Sequence, residues 1–317
     1  MVQRAEARPQ RTAEGIGLIL GSVLAMASAD AVVKLVSAEV TLWQLFTARA
    51  LVAIPVLLAL ARTSGPRLGL RAPGWALLRS SLLVLTWLVY YAALPVLSLS
   101  TAAVAIYTGP ILIALFSAAL IGEAVTARQW AGVLIGFVGV VAILQPGGDT
   151  FSWFTLLPLL GAVFYALAMV LTRSKCQDEA PLSLALVLHG MFLFAGLAAM
   201  GALTLLGLGA DTTALFPFLL GDWRAMGLRE WGFMALLGVL SATYFVGVAR
   251  AYQIAPPSIV ATFDYAYLVW ASLWGFVLFA ERPGALTIAG MVSITLAGLL
   301  VAAPSSNKMT AEDTARL

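Results

Sequence analysis

The chain has 317 residues, of which 62% are hydrophobic and only 10% are charged, and its mean hydropathy is +0.98. Soluble domains carry about 25% charged residues, so this composition excludes a soluble enzyme, a nucleic-acid-binding protein and a disordered chain. The formal charge of +3 is modest, and the single cysteine, Cys176, excludes an internal disulfide and a cysteine-only metal cage. The composition predicts an all-α polytopic membrane protein with neither metal nor cofactor.

Hydropathy divides the chain into ten span-length segments. In chain order they cover residues 14–37, 41–61, 74–94, 100–121, 127–144, 152–172, 182–208, 231–253, 258–280 and 285–303. The segments are separated by turn-forming residues such as Gly65-Pro66, Gln145–Gly148 and Pro256-Pro257, whose backbone groups would be unpaired in lipid. Polar tails, 1–13 and 304–317, flank the spans, and the first span is expected to be a retained signal anchor.

Basic residues predict the orientation of these spans. With the amino terminus inside the cell, the inner segments carry twelve Lys and Arg residues, Arg79 among them, and the outer loops carry three, Arg224, Arg229 and Arg282. Cytoplasmic segments of membrane proteins are enriched in Lys and Arg. Both termini are therefore predicted to be cytoplasmic.

The chain also contains an internal repeat. Ser100–Gly132 reads STAAVAIYTGPILIALFSAALIGEAVTARQWAG, and 158 residues later Ser258–Gly290 reads SIVATFDYAYLVWASLWGFVLFAERPGALTIAG. Nearer the start of each half the offset is 140, and the difference of 18 residues indicates an outer-side insertion at 209–230. Because each half has five spans, the second half must cross the membrane upside down. The sequence thus predicts ten transmembrane helices as two inverted five-helix repeats, 14–145 and 146–303.

The end of each repeat carries a family resemblance. The stretches IGEAVTARQWAGVLIGFVGVVAIL and FAERPGALTIAGMVSITLAGLLVA resemble the EamA repeat of the ten-helix branch of the drug/metabolite transporter superfamily, and the resemblance extends over residues 14–303. It implies an inner-membrane carrier that works by alternating access without ATP, and the chain has no GxxxxGK[ST] motif. FDYAYLVWA of the ninth span is similar to members that carry riboflavin or S-adenosylmethionine.

Ionisable residues within the spans are the first candidates for a site, because a charge at membrane depth is costly unless it is paired or hydrated. Asp30 and Lys34 are four residues apart and share one face of the first span. They either neutralise each other, with Lys34 reaching the outer interface, or form a polar cavity wall in which Asp30 binds a cation or a proton.

Arg49 lies about eight residues, or about 12 Å, into the second span. At that depth it is expected to face the cavity or to contact a carboxylate or backbone partner. Its counterpart in the repeat is His189. The histidine either binds the solute or forms a hydrogen bond between two helices.

Asp264 lies about seven residues into the ninth span, opposite Ile106 in the repeat. A carboxyl group at that depth changes its charge when its access to water changes, which suits a proton-coupling role. The alternative is a structural ion pair between Asp264 and Arg250 that locks two helices together.

Aromatic residues on the same spans form a second group of candidates. Tyr107 and Tyr265 occupy equivalent positions of the repeat. They either line a cavity that stacks a flat or amphipathic solute or pack the core. The same two interpretations apply to the other aromatic residues of these spans, Trp87, Tyr90, Tyr91, Tyr165, Tyr244, Tyr267 and Trp270.

These observations favour a secondary carrier of a small organic metabolite in a bacterial inner membrane, driven by protons or by exchange. The candidate solutes are an amino acid, a nucleobase or riboflavin, and S-adenosylmethionine. A multidrug exporter or a lipid-headgroup flippase would have the same architecture. A membrane-embedded enzyme is disfavoured because the chain lacks HExxH and GxSxG motifs.

The partners expected are therefore the solute, protons and the lipid bilayer, and no nucleic acid. Small residues such as Gly132 and Gly136 allow helices to approach closely, within one chain or between two copies in a homodimer.

Overall fold

The computed structural model describes residues 11–64, 68–97, 102, 105–144, 152–280 and 285–302. These residues are helical and contain no strand, and seven of their helices are long and apolar enough to cross a membrane. The prediction of an all-helical polytopic membrane protein is confirmed at this level. Most of the two polar tails and the turn at Gln145–Gly148 lie outside the described residues.

A helix lies in each predicted segment. We number the helices α1 (Thr12–Val36), α2 (Leu42–Ser64), α3 (Pro73–Ala93), α4 (Gly109–Ile121), α5 (Ala127–Leu144), α6 (Leu156–Ser174), α7 (Pro181–Leu206), α8 (Ala210–Leu215), α9 (Pro217–Leu220), α10 (Leu228–Ile254), α11 (Pro257–Asp264), α12 (Ala266–Phe279) and α13 (Ala285–Ala302). A single 3₁₀ turn, Trp153–Thr155, precedes α6.

The ninth predicted segment is broken into two helices. α11 ends at Asp264 and α12 begins at Ala266, with Tyr265 between them. The peptide N–H of Leu268 donates to the carbonyl of Tyr265 at 3.0 Å, so the break is a tight turn rather than an unwound loop. Discontinuous helices are typical of ion and solute sites in secondary transporters.

The helices pack in pairs that relate the first five, α1–α5, to the later set α6, α7, α10, α11–α12 and α13. α1 packs against α10 and α3 against α6, α1 contacts α12 and α4 contacts α6, while α2 packs on α7 and α5 on α13. The two sets correspond helix by helix: α1 to α6, α2 to α7, α3 to α10, α4 to α11–α12 and α5 to α13. Under this exchange the α1–α10 pairing becomes the α6–α3 pairing and the α1–α12 pairing becomes the α6–α4 pairing, while α2–α7 and α5–α13 are unchanged. The predicted packing face that includes Gly136 is thus used within one chain.

Glycines allow close approaches between helices, and two examples lie on α10 and α5. A Cβ at Gly238 of α10 would lie 2.6 Å from Val52 of α2. A Cβ at Gly136 of α5 would lie 2.5 Å from the ring of Tyr265. Both distances are below van der Waals contact, so a larger residue would push the helices apart.

The predicted insertion, 209–230, forms the short helices α8 and α9 and lies over the start of α2. Trp43 Nε1 donates to the carbonyl of Leu219 at 2.7 Å. Gln44 Nε2 donates to the carbonyl of Arg224 at 2.6 Å and its Oε1 accepts from the Arg224 N–H at 3.2 Å. These bonds join the insertion to the first half of the chain.

The opposite end of the bundle is held by the connection between α6 and α7. The buried Glu179 carboxylate accepts from the backbone N–H groups of Arg71, at 2.9 Å, and Ala72, at 2.6 Å, at the start of α3. Gln253 of α10 donates through Nε2 to the carbonyls of Cys176 and Glu179, at 2.9 and 2.8 Å.

The structure corrects the placement of Arg79. The orientation argument counted it among the cytoplasmic loop charges, but it lies six residues inside α3 and is fully buried. Its Nε donates to Thr172 Oγ1 of α6 at 2.6 Å. The assignment was wrong because charge counting uses position along the chain and ignores the direction of the side chain around the helix.

We predict that Glu179→Ala destabilises the protein. The substitution leaves the N–H groups of Arg71 and Ala72, which directly precede α3, without a buried acceptor, and this costs about 1–2 kcal/mol. Thermal unfolding of the purified protein in detergent is expected to show a melting temperature lowered by a few degrees.

The matched control is Asp211→Ala, which removes an exposed carboxylate from the first turn of α8. A fall as large in this control as in Glu179→Ala would contradict the capping role of Glu179.

Candidate functional site

Asp30 of α1 is fully buried and is held by two tyrosine hydroxyls. Tyr91 of α3 donates to Oδ1 at 3.1 Å, and Tyr267 of α12 donates to Oδ2 at 2.7 Å. The hydroxyl of Tyr267 also lies 3.1 Å from that of Tyr90. Asp30 therefore joins three helices drawn from both halves of the chain.

Lys34 is one turn farther along α1 and has an aromatic neighbour. Its Nζ lies 4.9 Å from the centre of the Phe279 ring. The hydrogen bonds that Asp30 accepts come from tyrosines, so the first carboxylate is positioned by neutral donors.

Arg49 of α2 is buried among aromatic rings, with 1% of its surface exposed. Its guanidinium carbon lies 4.4 Å from the centre of the Phe192 ring and 5.3 Å from that of Phe46. Nη1 donates to the hydroxyl of Tyr91 at 3.4 Å, so this tyrosine links Arg49 to Asp30. Nε and Nη2 have no hydrogen-bond partner among the described residues.

His189 of α7 forms the helix-to-helix hydrogen bond that was one of its two interpretations. Nδ1 lies 2.8 Å from the carbonyl oxygen of Ala185, and Nε2 lies 3.0 Å from Ser241 Oγ of α10. Because a carbonyl oxygen only accepts, Nδ1 carries a proton and donates.

Asp264 is buried at the end of α11, and tyrosines also hold this carboxylate. Oδ2 accepts from Tyr165 of α6 at 3.1 Å and from Tyr252 of α10 at 3.3 Å. Tyr244 donates in turn to Tyr165 at 3.3 Å. Within the described part of the chain, Oδ1 has no hydrogen-bond partner.

The predicted ion pair between Asp264 and Arg250 is wrong. No salt bridge joins these two residues, both of which the structure describes. Tyr252 contacts Asp264, and Arg250 is two residues earlier on the same helix, about 200° away around its axis. The arginine therefore points away from the carboxylate.

Aromatic stacking connects the surroundings of the two carboxylates. The rings of Tyr107 and Tyr267 stack at 4.6 Å with an interplanar angle of 8°, and Tyr265 lies 6.4 Å from Tyr107. Tyr265 is fully buried, but its hydroxyl has no partner among the residues described. Trp270 is only half-buried, and the contacts described here do not bring it to either carboxylate.

Two small cavities separate the clusters, and Met26 and Trp87 line both of them. One cavity reaches Asp264, and the other reaches Asp30 and Arg49. Each offers about 10 Å³, which is room for about one water molecule. The site is closed in this conformation, so a solute can enter only if the helices separate.

Sequence reasoning missed two residues of this site, Tyr252 and Arg79. A signal existed for Tyr252, because its spacing of eight residues from Tyr244 places both on one side of a helix.

Comparison with known proteins agrees with the resemblance. Residues 13–145 match the model of the EamA-like transporter family. The pseudopaline exporter CntI of Pseudomonas aeruginosa is 27% identical over 270 residues, which cover 84% of this chain and 88% of the exporter. A riboflavin transporter of Vibrio cholerae is 29% identical over 238 residues, 73% of either chain. An S-adenosylmethionine uptake transporter of Rickettsia bellii is 22% identical over 294 residues, 90% of this chain and 92% of its own.

A solved crystal structure superposes on 93% of this chain and on 99% of its own chain, with a TM-score of 0.68 and 23% identity. This likeness shows the fold alone. The named relatives are transporters rather than enzymes. The first half of the chain is thus similar to the EamA-like transporter family, and the relatives that cover most of its length are transporters.

Proposed function

We propose that this protein is a secondary transporter that moves a small organic solute across a bacterial inner membrane by alternating access. One observation carries the proposal: two carboxylates, Asp30 and Asp264, are buried at membrane depth, and the hydrogen bonds they accept come from tyrosine hydroxyls. Such groups are costly in a protein that only needs to be stable. Each carboxylate lines a small cavity, and a carrier requires polar groups in a cavity that opens and closes.

The proposed architecture is ten crossings in two inverted repeats, 14–145 and 146–303. The exchange-symmetric pairing of the helices supports it. The candidate site also lies where the two halves meet, because Tyr267 of the second half contacts Asp30 and Tyr107 of the first. Secondary transporters built from inverted repeats bind their solutes at that interface.

Coupling to protons is proposed for the two carboxyl groups. In the closed conformation each carboxyl group accepts hydrogen bonds from neutral tyrosines. Opening the site to water would therefore stabilise the charged carboxylate relative to the neutral carboxylic acid. A carboxyl group that loses a proton on one side and regains it on the other would drive transport. The alternative driving force is the exchange of one solute for another. Assembly of two copies into a homodimer stays a prediction.

The solute is proposed to carry both polar groups and a flat or apolar part. Nε and Nη2 of Arg49 form the side of the guanidinium that binds a carboxylate through two parallel hydrogen bonds. Asp264 Oδ1 can accept from an ammonium or amide, and the tyrosine rings can stack a planar group. An amino acid, a nucleobase or riboflavin, and S-adenosylmethionine remain the candidates. The enclosure of these charges inside the bundle favours them over a lipid headgroup, and a multidrug exporter is the second candidate.

The proposed topology has both termini in the cytoplasm. Tags placed at the two ends are expected to be inaccessible to a membrane-impermeant reagent in intact cells and accessible after lysis. Tags found on opposite faces would contradict an even number of crossings.

Asp264→Asn is expected to abolish transport while the protein still reaches the membrane in normal amount. The amide keeps the shape of the side chain but cannot release a proton. The assay uses liposomes that contain the purified protein and a loaded metabolite pool, with mass spectrometry of what leaves or exchanges.

Asp211→Asn makes the same chemical change at an exposed position of α8 and is expected to transport normally. Normal flux through Asp264→Asn would remove this residue from the mechanism.

Arg49→Lys is expected to lower flux at least about tenfold, because lysine keeps the positive charge but loses the planar pair of donors. Arg62→Lys, on an exposed part of the same helix, is the matched control. Equal flux through Arg49→Lys and the wild type would show that charge alone suffices at this position.

A further inference from the structure

A second buried guanidinium has unused donors, and it belongs to Arg79. The side chain has no exposed surface, and its Nε donates to Thr172 Oγ1 at 2.6 Å. Nη1 and Nη2 have no hydrogen-bond partner within the described part of the chain. These two nitrogens form the outer end of the planar group, which can donate two parallel hydrogen bonds to one acidic group.

The acids near this end of the bundle do not neutralise Arg79. Both oxygens of Glu179 are engaged by the N–H groups at the start of α3. Burial raises the pKa of the Cys176 thiol, so this neighbour is uncharged at pH 7. The salt bridges among the described residues do not include Arg79. An unpaired charge inside a protein is strongly destabilising.

The position of Arg79 relates it to the central site. It precedes Tyr90 by eleven residues, which is three turns and about 16 Å along the same face of α3. On α6, Thr172 follows Tyr165 by two turns, about 10 Å along the same face. Arg79 and Thr172 therefore continue the faces of α3 and α6 that carry Tyr90 and Tyr165, toward the end of the bundle that contains Cys176.

We propose that Arg79, which Thr172 positions, forms a second binding position for an acidic group of the transported solute, a carboxylate or a phosphate. The inference rests on the proposed function and adds a second position to it. A solute leaving Arg49 would pass the Asp264 cavity and meet the Nη pair of Arg79 before it reaches the Cys176 end. In the proposed orientation this is the cytoplasmic end, so Arg79 lies between the central site and the cytoplasm.

A purely structural Arg79 makes the opposite prediction for stability. If the guanidinium holds the helices together, Arg79→Met lowers the melting temperature. If instead Arg79 serves to bind an anion, Arg79→Met removes an unpaired buried charge and leaves the melting temperature unchanged or raises it. Thr172 keeps its own bond, since its hydroxyl donates to the carbonyl of Ala168 at 2.8 Å.

The test measures thermal unfolding of the purified full chain in sodium acetate, sodium phosphate and sodium chloride at equal ionic strength. Acetate or phosphate is expected to raise the wild-type melting temperature by about 2 °C or more over chloride. Arg79→Met is expected to lose that rise without being less stable in chloride, and Arg79→Lys to lose most of it. Arg62→Met, an exposed control, is expected to keep it. The anion that raises the melting temperature identifies the acidic group of the solute as a carboxylate or a phosphate.

Labelling of Cys176, the single cysteine, by a maleimide supplies a second readout. The effective anion is expected to slow labelling about threefold in the wild type and not in Arg79→Met. The proposal is overturned if neither anion raises the melting temperature of the wild type over that in chloride, or if Arg79→Met keeps this rise. It is also overturned if Arg49→Met loses the rise while Arg79→Met does not. Flux of the wild type in liposomes tests the transporter separately, so either inference can fail without the other.

Discussion

The central constraint on this molecule is the cost of placing a carboxylate inside a membrane. Asp30 and Asp264 are both buried, and each meets that cost with two tyrosine hydroxyls. A tyrosine donor stabilises the charge without cancelling it, whereas a lysine or arginine in direct contact would form a fixed pair. The carboxylates therefore remain able to change partner or charge when the helices move.

The packing of the helices places these groups together. The tyrosines that hold Asp30 come from α3 and α12, and those that hold Asp264 come from α6 and α10. These helices belong to the paired sets that exchange with one another. A relative movement of the two sets would thus break or remake the bond between Tyr267 and Asp30, which crosses from one set to the other, whereas both donors of Asp264 lie in its own set.

The two buried arginines differ from the carboxylates because each keeps hydrogen-bond donors that the described residues do not use. Arg49 and Arg79 each use part of their donors within the protein and leave two nitrogens without a partner among the described residues. Interiors normally satisfy such donors. The cavity that Arg49 lines together with Tyr91 and Tyr244 has room for about one water molecule, which indicates a closed conformation with polar groups available to a ligand.

Hydropathy and depth were enough to predict the helical segments and to select Asp30, Arg49 and Asp264, because a charge within an apolar run is visible in one dimension. The partners of these residues depended on rotation around each helix. Arg250 and Tyr252 are two residues apart, yet only Tyr252 faces Asp264. Arg79 was counted as a loop charge, yet α3 turns it inward to Thr172, and Tyr267 of the second half donates to Asp30 of the first. Composition thus determined where the chain meets lipid, while tertiary packing decided which polar groups meet, because hydrogen bonds depend on direction and hydrophobic burial does not.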